Sequence, residues 1–214
     1  MKNIKTLFFL VLSFATLYSC SQEEEIGSTV TIYPTLTING EQVVTVNKGT
    51  TYVELGASAT AGTATLPVTT TGTVNSNVIG VYKITYEAFN SDGFAASKIR
   101  TVIVMSNTPS VIDLSGTFFR NGNANNITRI SDRVYIADNA GGLVRATEEN
   151  QKVLVKLKFY NLDDTQVYAP FQTGTSPSGI SAETNIGKII NQNSFNWILY
   201  ASATYGTAVR NFTR

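Results

Sequence analysis

One cysteine and no histidine decide what chemistry these 214 residues can attempt. Cys20 follows Leu17-Tyr18-Ser19, behind Lys2, Lys5 and an apolar run over residues 7–17. A cationic start, a short apolar stretch and a small residue before the cut are the parts of a secretory signal peptide. The run is too short to cross a bilayer, which takes roughly twenty residues. Leu17 and Ser19 stand where a lipobox requires them, while Tyr18 replaces its usual small or β-branched residue. The spacing predicts removal of residues 1–19 and lipidation of Cys20, which gives the chain a membrane partner through an N-terminal lipid anchor. With that thiol used, a mature monomer has no disulfide, no Cys/His zinc site, no Ser-His-Asp triad and no Cys-His pair. No catalytic residue, metal or cofactor is expected.

The remaining candidates are aromatic and polar. Trp197 is the only tryptophan, in Phe195-Asn196-Trp197-Ile198-Leu199-Tyr200-Ala201. Alternation sends Phe195, Trp197, Leu199 and Ala201 to one face and Asn196, Ile198 and Tyr200 to the other. Trp197 then serves either as a stacking platform for the apolar face of a sugar ring or as a core residue among its apolar neighbours, since large aromatics stabilise mainly by burial. Tyr135-Ile136-Ala137-Asp138-Asn139-Ala140-Gly141-Gly142 brings an aromatic strand end to a polar turn. Asp138 and Asn139 could meet a ligand there, or simply supply the geometry that a turn needs. Glu148-Glu149 and Asp163-Asp164 are acidic pairs in expected turns, where solvated charge is the ordinary reading. Neighbours on a strand face opposite ways, so neither pair can act as a glycosidase dyad. Sixteen basic residues against fifteen acidic ones give no basic excess that points to nucleic acid, and no nucleic-acid partner is expected.

These residues must be positioned by strands. After Ile26, short alternating or β-branched runs recur between Gly, Asn, Asp and Ser clusters, with no helical period of useful length. Expected strands are 30–38, 42–46, 51–55, 68–74, 80–89 and 95–105, then 114–120, 126–130, 134–137, 143–147, 152–160, 165–171, 186–190, 195–203 and 208–212. Tyr82, Ile84, Tyr86 and Ala88 share a buried face, and Lys83, Thr85 and Glu87 a wet one. Asn90-Ser91-Asp92-Gly93 turns this strand into the next. Residues 107–110, around Pro109, form a linker. The fold class is all-β, with a sandwich over 30–106 and an antiparallel β-sandwich or barrel over 111–214. Residues 20–29 form a lipidated acidic tether.

Several stretches resemble known families. Cys20-Ser21-Gln22-Glu23-Glu24-Glu25 resembles the export signal of Bacteroidetes lipoproteins, which implies an outer-membrane location facing the cell exterior. Leu36-Thr37-Ile38-Asn39-Gly40, Gly49-Thr50-Thr51-Tyr52, Gly56-Ala57-Ser58-Ala59, Gly80-Val81-Tyr82 with Tyr86, Asn90 to Gly93, and Arg100-Thr101-Val102-Ile103-Val104 resemble, in order, the bacterial Ig-like domain of such surface lipoproteins and of some crystal toxins. Relatives often carry Asp after the Gly-Ala-x-Ala stretch, where Thr60-Ala61-Gly62 stands here, so no calcium site is expected. Asp113 to Phe118, Thr128 to Gly142 and Asn196-Trp197 resemble the all-β domain that follows such modules, a family without an assigned activity. In this setting the sequons at Asn126 and Asn211 are expected to stay unmodified. The resemblances imply a surface lipoprotein without enzymatic activity, whose distal domain binds a ligand, a glycan foremost, through Trp197, Tyr200, Tyr135, Asp138 or Asn139. The alternative is a structural or adhesion component with a protein partner at the cell surface.

Overall fold

Alternation in the sequence becomes a long hairpin. β6 (Gly80–Phe89) and β7 (Ala95–Met105) pair from Gly80 opposite Val104 to Phe89 opposite Ala95. At their turn the Asn90 side chain accepts from the N–H groups of Asp92 and Phe94, and Gly93 supplies a φ of 84°. The computed structural model describes residues 30–202 and 205–214. Cys20, the expected signal peptide and the acidic tether lie outside the described residues. Tyr33–Arg214 form one unit.

The first half of that unit is a sandwich of two sheets. Its elements are β1 (Thr35–Ile38), β2 (Val43–Asn47), β3 (Ala57–Ala61), β4 (Ala64–Leu66), β5 (Thr69–Thr71), β6 and β7. One sheet runs β1-β3-β4, and the other β2-β7-β6-β5 with β2 parallel to β7. Leu36, Val46, Ala59, Ile84, Tyr86, Ala88, Val102 and Val104 fill the space between them. The expected strand at 30–38 shortens to β1 and that at 68–74 to β5. Residues 51–55 join no ladder and are held by side chains instead. β3 and β4 carry mostly Ala, Ser and Thr, so their hydrophobic alternation is too weak to read.

The second half is a closed barrel, which settles the expected choice between sandwich and barrel. It comprises β8 (Gly116–Arg120), β9 (Asn123–Ser131), β10 (Val134–Ala137), α1 (Glu148–Lys152), β11 (Leu157–Asn161), β12 (Gln166–Tyr168), β13 (Ala182–Thr184), β14 (Gly187–Asn191), β15 (Ser194–Ala201) and β16 (Val209–Thr213). Eight strands pair antiparallel in the order β8-β9-β10-β11-β12-β14-β15-β16, and Thr213 opposite Phe119 closes the ring. β13 lies beside the far end of β15. Residues 143–147 form no strand: Thr147 accepts the Asn150 N–H and starts α1, so Glu148 and Glu149 occupy a helical first turn that favours negative charge.

Phe118, Tyr135, Phe159, Phe195, Trp197 and Phe212 point into the barrel and are all fully buried. Phe195 and Trp197 meet edge to face at 5.0 Å, and Phe195 stacks on Phe212 at 5.1 Å. An eight-stranded barrel is just wide enough for side chains to fill. β14 passes so close to this core that a Cβ on Gly187 would lie 2.0 Å from the Asn196 carbonyl oxygen, so only glycine fits. Outward positions carry Thr117, Asn126, Thr128, Lys158 and Lys188, all exposed. These polar residues interrupt the continuous apolar outer band that a lipid-facing barrel needs. Among the described residues no helix is long and apolar enough to cross a membrane.

Sandwich and barrel meet through a third apolar cluster. β7 alternates between two buried faces: Val102 and Val104 enter the sandwich core, while Ile103 and Met105 pack with Tyr160, Leu162 and Tyr168, flanked by Val43, Val81 and Val134. Part of the face expected to be wet is therefore covered. The linker is clamped as well. The Ser106 N–H donates to Leu162 O at 2.7 Å, and buried Arg133 donates to Thr108 O at 3.0 Å and to Asp164 at 2.9 Å. Asp164 also accepts from Ser110, Val111 and Asn161. Burial opposes its ionisation, but these donors outweigh that and hold the carboxyl below its ordinary range. Asp164 is therefore a clamp and not the solvated turn charge that its position suggests.

Candidate functional site

The structure withdraws most of the residues that the sequence offers as a site. Trp197 is 0% exposed, donates its indole N–H to Ala140 O at 2.9 Å, and touches the rings of Phe159, Phe195 and Phe212. It cannot be a surface platform, because its face of β15 is the barrel interior. Tyr135 is likewise buried, stacked on Phe159 with its hydroxyl on Ile112 O at 3.2 Å. Burial raises its pKa. Asn139 is buried and holds its loop together, donating to Ala124 O and Leu143 O and accepting from the Leu143 N–H. Asp138 is committed to Arg145 at 2.7 Å and to the backbone and side chain of Asn126. Tyr200, on the opposite face of β15 from Trp197, keeps an open ring at 42% exposure.

Tyr200 belongs to a row that crosses strands. It lies opposite Glu183 in the β13–β15 ladder. On the other side of β13, Gln172 and Ala182 exchange two backbone hydrogen bonds of 2.8 Å, which brings Phe171 beside Glu183. Residues opposed in an antiparallel pair share a face, so Phe171, Glu183 and Tyr200 form one outward row. Two strand spacings separate its aromatic ends by roughly 10 Å. Phe171 is 49% exposed.

This row borders a groove where the sandwich meets the barrel. Two hollows share Gln42 and Phe171. The larger, of about 480 Å³, is lined by Ile136, Lys156, Lys158 and residues 172–175. The smaller, of about 360 Å³, is lined by Val43, Thr101, Lys83, residues 97–99 and Glu183. Lys83 reaches from β6 to Glu183 at 3.6 Å, and the Lys158 ammonium stands 5.6 Å from the centre of the Tyr160 ring. Beneath them, burial and then the charge of Glu183 push the Tyr168 hydroxyl up to about 12. The groove offers aromatic faces and ammonium donors. Among the described residues no cluster of three or more Asp, Glu, Cys or His is placed to hold a metal. Sequence reasoning missed Phe171, whose partners in the outward row, Glu183 and Tyr200, are distant in the chain; a Phe after Pro170 at a strand end was its only signal.

A second polar constellation lies in the sandwich. Arg100, 1% exposed, pairs with Glu54 and also donates to Asn39 O and Glu41 O. Glu54 accepts in addition from Tyr52, Tyr86 and the Gly56 N–H. Desolvation opposes its charge, yet those hydrogen bonds prevail and hold its carboxyl at about 2. Burial and the bond to Glu54 raise the Tyr86 hydroxyl. The group anchors residues 51–56, which have no ladder of their own.

Residues 36–104, which hold this constellation, match the model of the bacterial surface protein Ig-like domain. The sandwich over that segment is Ig-like in fold. Among solved structures, the crystal structure of a lipoprotein from Bacteroides thetaiotaomicron is similar to the chain at 21% identity, covering 84% of this chain and 98% of that one, with a TM-score of 0.37. No curated protein matches. The Ig-like domain leaves β2 at the edge of its sheet, beside a hollow of about 480 Å³ where Val53 and Leu55 are exposed.

Proposed function

We propose that this chain is a lipid-anchored surface protein of the outer membrane that binds a glycan, without catalysis, in the groove between its Ig-like domain and its barrel. The observation that carries this reading is the outward row of Phe171, Glu183 and Tyr200. Open rings offer the flat apolar surface that the C–H face of a sugar needs, and roughly 10 Å between them suits a bound stretch of chain rather than a single ring. Absence of histidine and of a spare thiol favours binding over chemistry. Surface location is supported by the Ig-like match and by the spacing around Cys20, and the acidic residues Glu23, Glu24 and Glu25 favour the outer face. The clamped linker suits a rigid spacer that presents the barrel away from the bilayer.

Affinity electrophoresis across a polysaccharide panel tests the site. Retardation by at least one polymer, lost in Phe171→Ala and Tyr200→Ala with thermal unfolding unchanged, is the expected result; no retardation by any polymer ends the reading. Radiolabelled fatty acid should enter the native chain and not Cys20→Ser. A second reading, assembly with a protein partner, draws on the free edge of β2 and on exposed Val53 and Leu55, where an added strand could pair. Stoichiometric co-purification that fails in Val53→Lys would favour it.

A further inference from the structure

The groove has a charge that the chain as a whole lacks. Its lining presents three lysines, Lys83, Lys156 and Lys158, against one carboxylate, Glu183, in a sequence whose formal net charge is +1. Lys156 and Lys158 are exposed and join no ion pair among the described residues. We infer that the groove takes an acidic polysaccharide, with Lys156 and Lys158 meeting its anionic substituents while Phe171 and Tyr200 stack on its rings. This rests on the glycan reading of the groove and adds the charge class of the ligand.

The backbone beside the lysines argues against an acidic peptide as the occupant. A peptide gains affinity at a sheet edge by pairing with free N–H and C=O groups. Here that edge is closed. The Gln172 side chain accepts from the Lys158 N–H at 3.0 Å and donates to Lys158 O at 2.9 Å, and the Lys156 N–H donates to Thr175 O at 2.7 Å. On the barrel side an incoming chain therefore meets rings and ammonium groups, with no ladder to extend. A sugar polymer bearing carboxylates or sulfates has what such a surface recognises: apolar faces at intervals and anions at the rim.

The test uses the mature chain in gels containing polygalacturonate, alginate or chondroitin sulfate, each beside a neutral counterpart such as fully methyl-esterified polygalacturonate. At least one acidic polymer should retard the protein, and its neutral counterpart about tenfold less, the sum of a few exposed charge pairs. Lys156→Gln with Lys158→Gln should weaken retention to a similar degree. Raising the salt from about 0.05 M to about 0.5 M should do the same in the native chain and much less in the double variant. Thermal melts of the variants, unchanged, exclude misfolding. Equal retention by acidic and neutral forms, indifferent to the lysines, overturns this inference and leaves the glycan reading standing; retention by no polymer overturns both. Competition by poly-glutamate as strong as that by the acidic polysaccharide, with Phe171→Ala unaffected, also overturns it and points to an acidic protein.

Discussion

The Ig-like domain buries a guanidinium, Arg100, against the partly exposed carboxylate of Glu54, whereas the barrel beside it is filled chiefly by six aromatic rings packed on one another. The difference follows from topology. Closure pairs the barrel strands with neighbours on both sides, so its centre can be apolar. The open sandwich has to hold residues 51–56 without a ladder, and it does so by converging Tyr52, Tyr86, Arg100 and the Gly56 N–H on one carboxylate. One half of the chain thus depends on volume and the other on charge.

The largest effect should come from removing volume. Trp197→Ala takes the indole from a fully buried site and leaves the Ala140 carbonyl without its donor, at a cost of about 4 kcal/mol. Chemical denaturation followed by far-ultraviolet dichroism reads this directly. A cost below about 1 kcal/mol would mean that the rings are not what holds the barrel. Next in size is Glu54→Gln, which keeps the shape but strands a buried guanidinium, for about 3 kcal/mol. Arg100→Met combined with Glu54→Gln should recover much of that loss, because the uncompensated charge is gone.

How far the sequence reveals each half follows the same division. β6 and β7 are legible to the residue, because their alternation and the Asn90 to Gly93 turn are local signals. Alternation in β15 also assigns Trp197 correctly to the face shared by Phe195 and Leu199. Which of the two faces is the inside depends on Thr213 meeting Phe119 across the whole barrel, and no local pattern carries that. Glu54 is similarly obscure: its partners lie 2, 32 and 46 positions away. The groove is the extreme case, since Phe171, Glu183 and Lys83 come from three separate elements. The consecutive apolar residues Val102-Ile103-Val104-Met105 did carry a signal of a strand buried on both faces.

Acid should separate the two halves further. Glu54 has its folded pKa lowered to about 2 from an ordinary 4.5. Its contribution is therefore complete above about pH 4.5 and fades as pH falls toward 2. Among the described residues the barrel interior contains no buried carboxylate. Trp197, as the single tryptophan, reports on the barrel alone. Protease cleavage within residues 51–56 is expected to begin at a higher pH than the change in Trp197 fluorescence. In Glu54→Gln the acid slope of stability should shrink, what remains belonging to Asp113 and Asp164, which have lowered pKa values of their own. An undiminished slope would show that Glu54 is not the acid-sensitive group.

The smallest effect is expected where the two kinds of interior meet. Tyr168 packs with Ile103 and Met105 at the junction, almost fully buried, and its hydroxyl has no hydrogen-bond partner among the described residues. A buried hydroxyl without a partner has been desolvated without return. Tyr168→Phe keeps the ring and removes that penalty, so stability should stay within about 1 kcal/mol of the native chain or rise. Urea denaturation of the two proteins decides it. A loss above about 2 kcal/mol would mean that the hydroxyl is bonded after all, and that the junction resembles the polar interior of the Ig-like domain more than the dry one of the barrel.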